Sequence, residues 1–168
     1  MTLALVLTGN FDVVAALFYI LSQLIGSLAA GYALKFLKPG VYKDFNLGFP
    51  HLGNTTTITQ GFFLEAFATF FLVFSIYACA VHRRANPEVY AAVAGITLFM
   101  GMACFGGITG GAMNPARTFG PSIANGEFFM KGWWVYYVAT TIGAVFAAVL
   151  YKFTIGVDDD LVEAVKEE

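Results

Sequence analysis

Charge is scarce in this sequence. Only 12% of its 168 residues are Asp, Glu, Lys or Arg, about half the share carried by a soluble globular domain, which excludes a water-soluble globule. Nine Lys and Arg stand against eleven Asp and Glu and form no strongly basic stretch, which excludes nucleic acid as a partner on charge. There are two cysteines, Cys79 and Cys104, both inside apolar runs. They give no disulfide framework and no zinc site, and read as packing residues. No H-E-x-x-H, G-x-S-x-G or Walker string occurs, and no paired carboxylates fall in the apolar runs. An enzyme is therefore not expected, nor a metal or cofactor. Residues 1–7 lack the basic segment that opens a secretory signal.

Apolar residues are what the chain has in abundance. Hydrophobic types make up 58% of it, with 18 Phe and 8 Tyr, too many for a solvated disordered chain. Charges divide it into long apolar runs at 13–34, 61–81 (broken only by Glu65), 89–116 and 132–151. A helix needs about 20 apolar residues to cross the hydrocarbon core. The runs predict an all-α membrane protein with spans over about 13–36, 61–81, 89–108 and 132–153 in one domain covering 1–155. The third run is too long for one crossing and holds Gly106, Gly107, Gly110 and Gly111, then Pro115. Its helix is expected to give way near Phe105 to an extended glycine-rich piece, followed by a short helix over about 114–124 that enters the bilayer and turns back. Residues 156–168 read as a solvated acidic tail. The loop after Lys38 carries a glycosylation sequon, Asn54-Thr55-Thr56, whose use the sequence leaves open. Arg83, Arg84, Lys152 and Lys166 fall on one side and Lys35, Lys38, Lys43 and Lys131 on the other, so positive charge does not orient the chain.

Sliding the chain against itself by 117 residues aligns the first run with the fourth. Gly9 falls on Gly126, Phe11 on Phe128, Tyr19 on Tyr136, Ile25-Gly26 on Ile142-Gly143, Ala30 on Ala147 and Lys35-Phe36 on Lys152-Phe153. Three crossings separate the copies, so they run in opposite directions, as in the inverted repeats of transport proteins. On this arithmetic the counterpart of Asn114-Pro115-Ala116 lies upstream of Met1. The expectation is a chain that lacks its first two spans.

The residues with chemistry to offer gather around Asn114. Asn is a strong helix N-cap and Pro suits the first helical position, so Asn114-Pro115 starts a helix inside an apolar run. Backbone left non-helical at that depth must be buried in protein or line water. The helix N-terminus there carries about half a positive charge, which opposes cations and protons and spares neutral molecules. Arg117 follows three residues on, at a depth where a charge needs a cavity or a partner; the alternative is an arginine reaching to the interface. Glu65, alone in its span, reads as an acceptor for the amides of the re-entrant backbone, or else as an interfacial charge. Trp133 and Trp134 read as an interface belt, which Tyr136 and Tyr137 could join.

The string Gly110-Gly111-Ala112-Met113-Asn114-Pro115-Ala116-Arg117-Thr118-Phe119-Gly120-Pro121 resembles the second signature loop of the aquaporins, the major intrinsic protein family. Glu65-Ala66-Phe67-Ala68-Thr69 resembles the E-x-x-x-T that opens the family's second repeat. Tyr19, Gln23 and Gly26 resemble its third span, and Thr2-Leu3-Ala4-Leu5 the residues after its first NPA.

The resemblance implies an aquaporin-like inverted-repeat helical bundle, N-terminally truncated, with one complete re-entrant NPA half-helix. It also implies a multi-pass protein of the plasma membrane or an endomembrane. In its bilayer the chain would pass water and small neutral solutes as a passive channel, and would assemble as a tetramer. By that likeness Asn114, Pro115 and Ala116 form the pore triplet, Arg117, Met102 and Gly111 belong to the selectivity filter, and Glu65 braces the loop. Met102 stands where strict water channels usually carry His, which resembles the tonoplast intrinsic, ammonia-permeable branch. Thr118 stands where glycerol facilitators carry Asp, and Tyr136-Tyr137 is aromatic where they are not. The competing reading is a non-conducting short form that assembles with full-length subunits and modulates them.

Overall fold

The structure, a computed structural model, describes residues 1–37, 48–82 and 87–155. The acidic tail at 156–168, the start of the loop with Lys38 and Lys43, and Arg83 and Arg84 lie outside the described residues. The described chain is helical throughout: α1 (Thr2–Leu7), α2 (Val13–Leu37), α3 (Ile58–Ile76), α4 (Pro87–Phe105), α5 (Pro115–Asn125) and α6 (Val135–Phe153). A π-helical turn, Tyr77–Val81, continues α3. Among the described residues, four helices are long and apolar enough to cross a membrane.

Local signals set the boundaries. Asp12 opens α2, its carboxylate accepting the Ala15 amide at 2.8 Å. A capping box of Thr57 and Gln60 starts α3 at Ile58, ahead of the apolar run that begins at Gly61. Pro87 takes the first position of α4, and the helix ends at Phe105, where two glycines follow. Gly132, at φ 75°, sits in a turn that delays α6 to Val135, three residues later than expected. Gly126, at φ 83°, closes α5 in the left-handed conformation that glycine adopts freely.

Small residues let the helices approach, as between membrane spans generally. At Gly143 on α6, an added Cβ would run into the Ala66 carbonyl of α3. Beside that crossing, Ala4, Val73, Tyr77, Ala144, Ala147, Ala148 and Tyr151 form a buried cluster that seats α1 on α6. The other short helix, α5, packs on α2. Each short helix thus rests on the long helix of the opposite repeat, an exchange that completes the inverted arrangement. By contrast α2 and α4 leave most of their apolar side chains uncovered, among them Ile25 at 68% and Phe99 at 71% exposure.

Candidate functional site

After α4 a hydrogen-bonded turn takes up residues 106–109, and from Gly110 to Asn114 the chain is extended, with an unusual conformation. Gly110, Gly111 and Met113 all have positive φ, at 85°, 55° and 49°. Only the first two are glycine, so Met113 is held there at a cost of about 1–2 kcal/mol. What holds it is Glu65, completely buried on α3. One carboxylate oxygen accepts the Ala112 amide at 2.9 Å and the Thr109 hydroxyl at 2.6 Å. The other accepts the Met113 amide at 2.9 Å. The Gly111 amide turns to the Thr109 hydroxyl, 3.2 Å away. In a trans peptide the carbonyl opposes the amide it is joined to, so the carbonyls of Gly110, Gly111 and Ala112 point away from these partners.

A second support comes from the loop before α3. The Gly53 amide and the Thr56 hydroxyl both donate to the Ile108 carbonyl, at 2.8 and 3.1 Å. Pro50 lies against Gly110 so closely that a Cβ there would strike it. Thr56, the last residue of the sequon, is thereby tied to the turn that leads into the extended stretch.

Asn114 ends that stretch and caps α5. Its side-chain oxygen accepts the Ala116 amide at 2.9 Å, Pro115 takes the first helical position, and the residue is exposed. The side-chain NH2 has no partner among the described residues. One turn on, Arg117 Nη2 lies 3.9 Å from the Met102 sulfur. A Cβ at Gly111 would stand 3.1 Å from that same sulfur. The structure therefore brings Met102, Gly111 and Arg117 together beside the exposed cap Asn114, and sets Glu65 behind them in the protein.

The family model for major intrinsic proteins matches residues 1–151. This chain belongs to the major intrinsic protein family. It is 34% identical to nodulin-26 from Glycine max, a match covering 98% of this chain and 59% of that protein. It is 35% identical to aquaporin-5 from Mus musculus over 90% of this chain and 57% of that one. The chain spans somewhat under two thirds of the length of these relatives. The X-ray structure of the aquaglyceroporin from Plasmodium falciparum shares the fold, with a TM-score of 0.82 at 24% identity, covering 95% of this chain and 72% of that one.

As a major intrinsic protein with four apolar helices, the chain is an integral, multi-pass membrane protein. Two of its site residues escape a reading of the sequence. Thr109 looks like any threonine in an apolar run, yet it is fully buried and links Glu65 to the backbone. Tyr136 invites assignment to the interface belt beside Trp133 and Trp134. Instead it is completely buried, and its hydroxyl donates to the Thr109 carbonyl at 2.9 Å. Its alignment with Tyr19 in the repeat gives no hint of this burial, since Tyr19 is exposed.

Proposed function

We propose that this major intrinsic protein lines a passive path for water and small neutral solutes, ammonia among them. The observation that carries the reading is the polar strip formed by the carbonyls of Gly110, Gly111 and Ala112 and the free side-chain NH2 of Asn114, which lead onto the N-terminus of α5. Carbonyls that accept and an amide that donates suit a file of water, and the positive end of α5 repels protons and cations. In this reading Asn114, Pro115 and Ala116 form the pore triplet and Arg117 guards the narrowest point. Met102 and Gly111 form two further walls, whose thioether and bare backbone leave a filter wider and less polar than one built with histidine. Glu65 keeps the amides of 112 and 113 off the path, so that the backbone there turns only its carbonyls to it. The assembly proposed is a tetramer in the bilayer.

A second reading rests on the uncovered faces of α2 and α4, which would suit a subunit that assembles with other channels and adjusts them. Stopped-flow light scattering separates the two. Protein purified from its own membranes and reconstituted should raise osmotic water permeability well above that of protein-free liposomes. A silent preparation that changes the flux of a co-reconstituted full-length channel would favour the second reading.

A further inference from the structure

Two matched rows of residues join α2 to α5. Ser27, Gly31 and Lys35 recur every four residues on α2, and Ala116, Gly120 and Ala124 every four on α5. At the first position the Ser27 hydroxyl donates to the Ala116 carbonyl and accepts the Gly120 amide, the latter at 3.0 Å. At the second, a Cβ on Gly31 would stand 2.9 Å from the Gly120 oxygen and 3.1 Å from the Ala124 Cβ. At the third, Lys35 Nζ donates to the Ala124 carbonyl at 2.6 Å, placing positive charge at the negative end of α5.

The first of these contacts stands apart. The Ala116 carbonyl and the Gly120 amide are four residues apart, the acceptor and donor that an α-helix pairs with each other. The Ser27 hydroxyl engages both. A side chain inserted at such a pair is one of the recognised causes of a change in a helix's path. The neighbouring rung is missing, since Pro121 has no amide for the Arg117 carbonyl. The turn that carries Arg117 is thus bounded on one side by the serine and on the other by the proline.

The repeat shows that packing a short helix on a long one does not need the hydroxyl. At the offset of 117, Ser27 is matched by Ala144, Gly31 by Ala148 and Lys35 by Lys152. On that side α1 is seated by an apolar cluster that includes Ala4, Ala144 and Ala148. The serine is specific to the half-helix that bears Asn114 and Arg117.

We infer that Ser27 is a positioning residue for Arg117. Its hydroxyl, bonded to the Ala116 carbonyl and the Gly120 amide, sets the path of that turn of α5, and through it the place of the guanidinium against Met102. The consequence for permeation rests on the proposed channel. The helix geometry does not.

The test compares Ser27→Ala with Ser27→Thr, which keeps the hydroxyl, in the protein purified from membranes. In Ser27→Ala the Ala116 carbonyl and the Gly120 amide both lose the hydroxyl, and Arg117 is expected to move. The urea-to-water permeability ratio should change by about five-fold, what one hydrogen bond of ordinary net strength makes in an equilibrium constant, and Ser27→Thr should restore it. A readout independent of conduction is solid-state NMR of protein labelled at the Ala116 carbonyl and Gly120 nitrogen. Both resonances should shift in Ser27→Ala and return in Ser27→Thr. Unmoved resonances overturn the inference, as does a permeability ratio that stays constant in conducting protein. If wild-type protein conducts nothing, the channel reading fails and the resonances alone decide whether Ser27 sets the path of α5.

Discussion

Glu65 and Met113 lie 48 residues apart in the chain, and the carboxylate of one holds the backbone amide of the other at 2.9 Å. This bond accounts for a methionine at positive φ, and it fixes the last residue before the cap of α5. Replacing Glu65 with Gln turns one acceptor oxygen into a donor facing a buried amide or hydroxyl. An unpaired buried donor costs about 1–3 kcal/mol. The variant is expected to melt earlier in detergent and to give less folded protein. An unchanged melting curve would show that the extended stretch stands without its brace.

Tyr136→Phe removes one hydroxyl from the same network, the donor to the Thr109 carbonyl at 2.9 Å. A single neutral hydrogen bond contributes about 1 kcal/mol, so the loss of thermal stability should be smaller than in Glu65→Gln. The double variant should lose less than the sum of the two, because both side chains act through Thr109. Full additivity would mean that the two supports are independent.

Repeat symmetry yields a sharper contrast in the glycines. Gly26 and Gly143 occupy equivalent places, yet a Cβ on Gly143 would strike the Ala66 carbonyl and one on Gly26 would meet nothing within 4 Å. Gly143→Ala is expected to destabilise by about 1–3 kcal/mol through overpacking, and Gly26→Ala to change stability by less than about 0.5 kcal/mol. Thermal denaturation of the two variants side by side decides the matter. A loss at Gly26 equal to that at Gly143 would mean that another helix covers α2 in the assembled protein.

These results show where the sequence was legible. The helical membrane fold could be read from charge scarcity, since uncharged runs of spanning length admit few other structures. Glu65 drew notice as the lone charge in its span. The partners that complete its network did not, because Thr109 and Tyr136 belong to residue types with commoner roles where they stand. Ser27 was hidden for a different reason. A serine on a membrane helix usually bonds its own backbone, and only the path of α5 past α2 brings two groups of another helix within its reach. The helix starts moved by about three residues where a capping box and a left-handed glycine set the boundary, local chemistry that hydropathy does not register.

Arg117→Ala should widen permeation. Removing the guanidinium beside Met102 takes away both bulk and positive charge, so the urea-to-water permeability ratio should rise about ten-fold, the effect of roughly 1.4 kcal/mol on a barrier. Unchanged selectivity in proteoliposomes would remove Arg117 from the filter.

The most direct measurement of the central proposal, that Met102, Gly111 and Arg117 border the water path, uses Met102→Cys with Cys79 and Cys104 replaced by serine. Osmotic permeability is recorded before and after a charged methanethiosulfonate reagent, then after reduction. Labelling is expected to abolish most of the water flux, and reduction to restore it. Undiminished flux through fully labelled protein would contradict it.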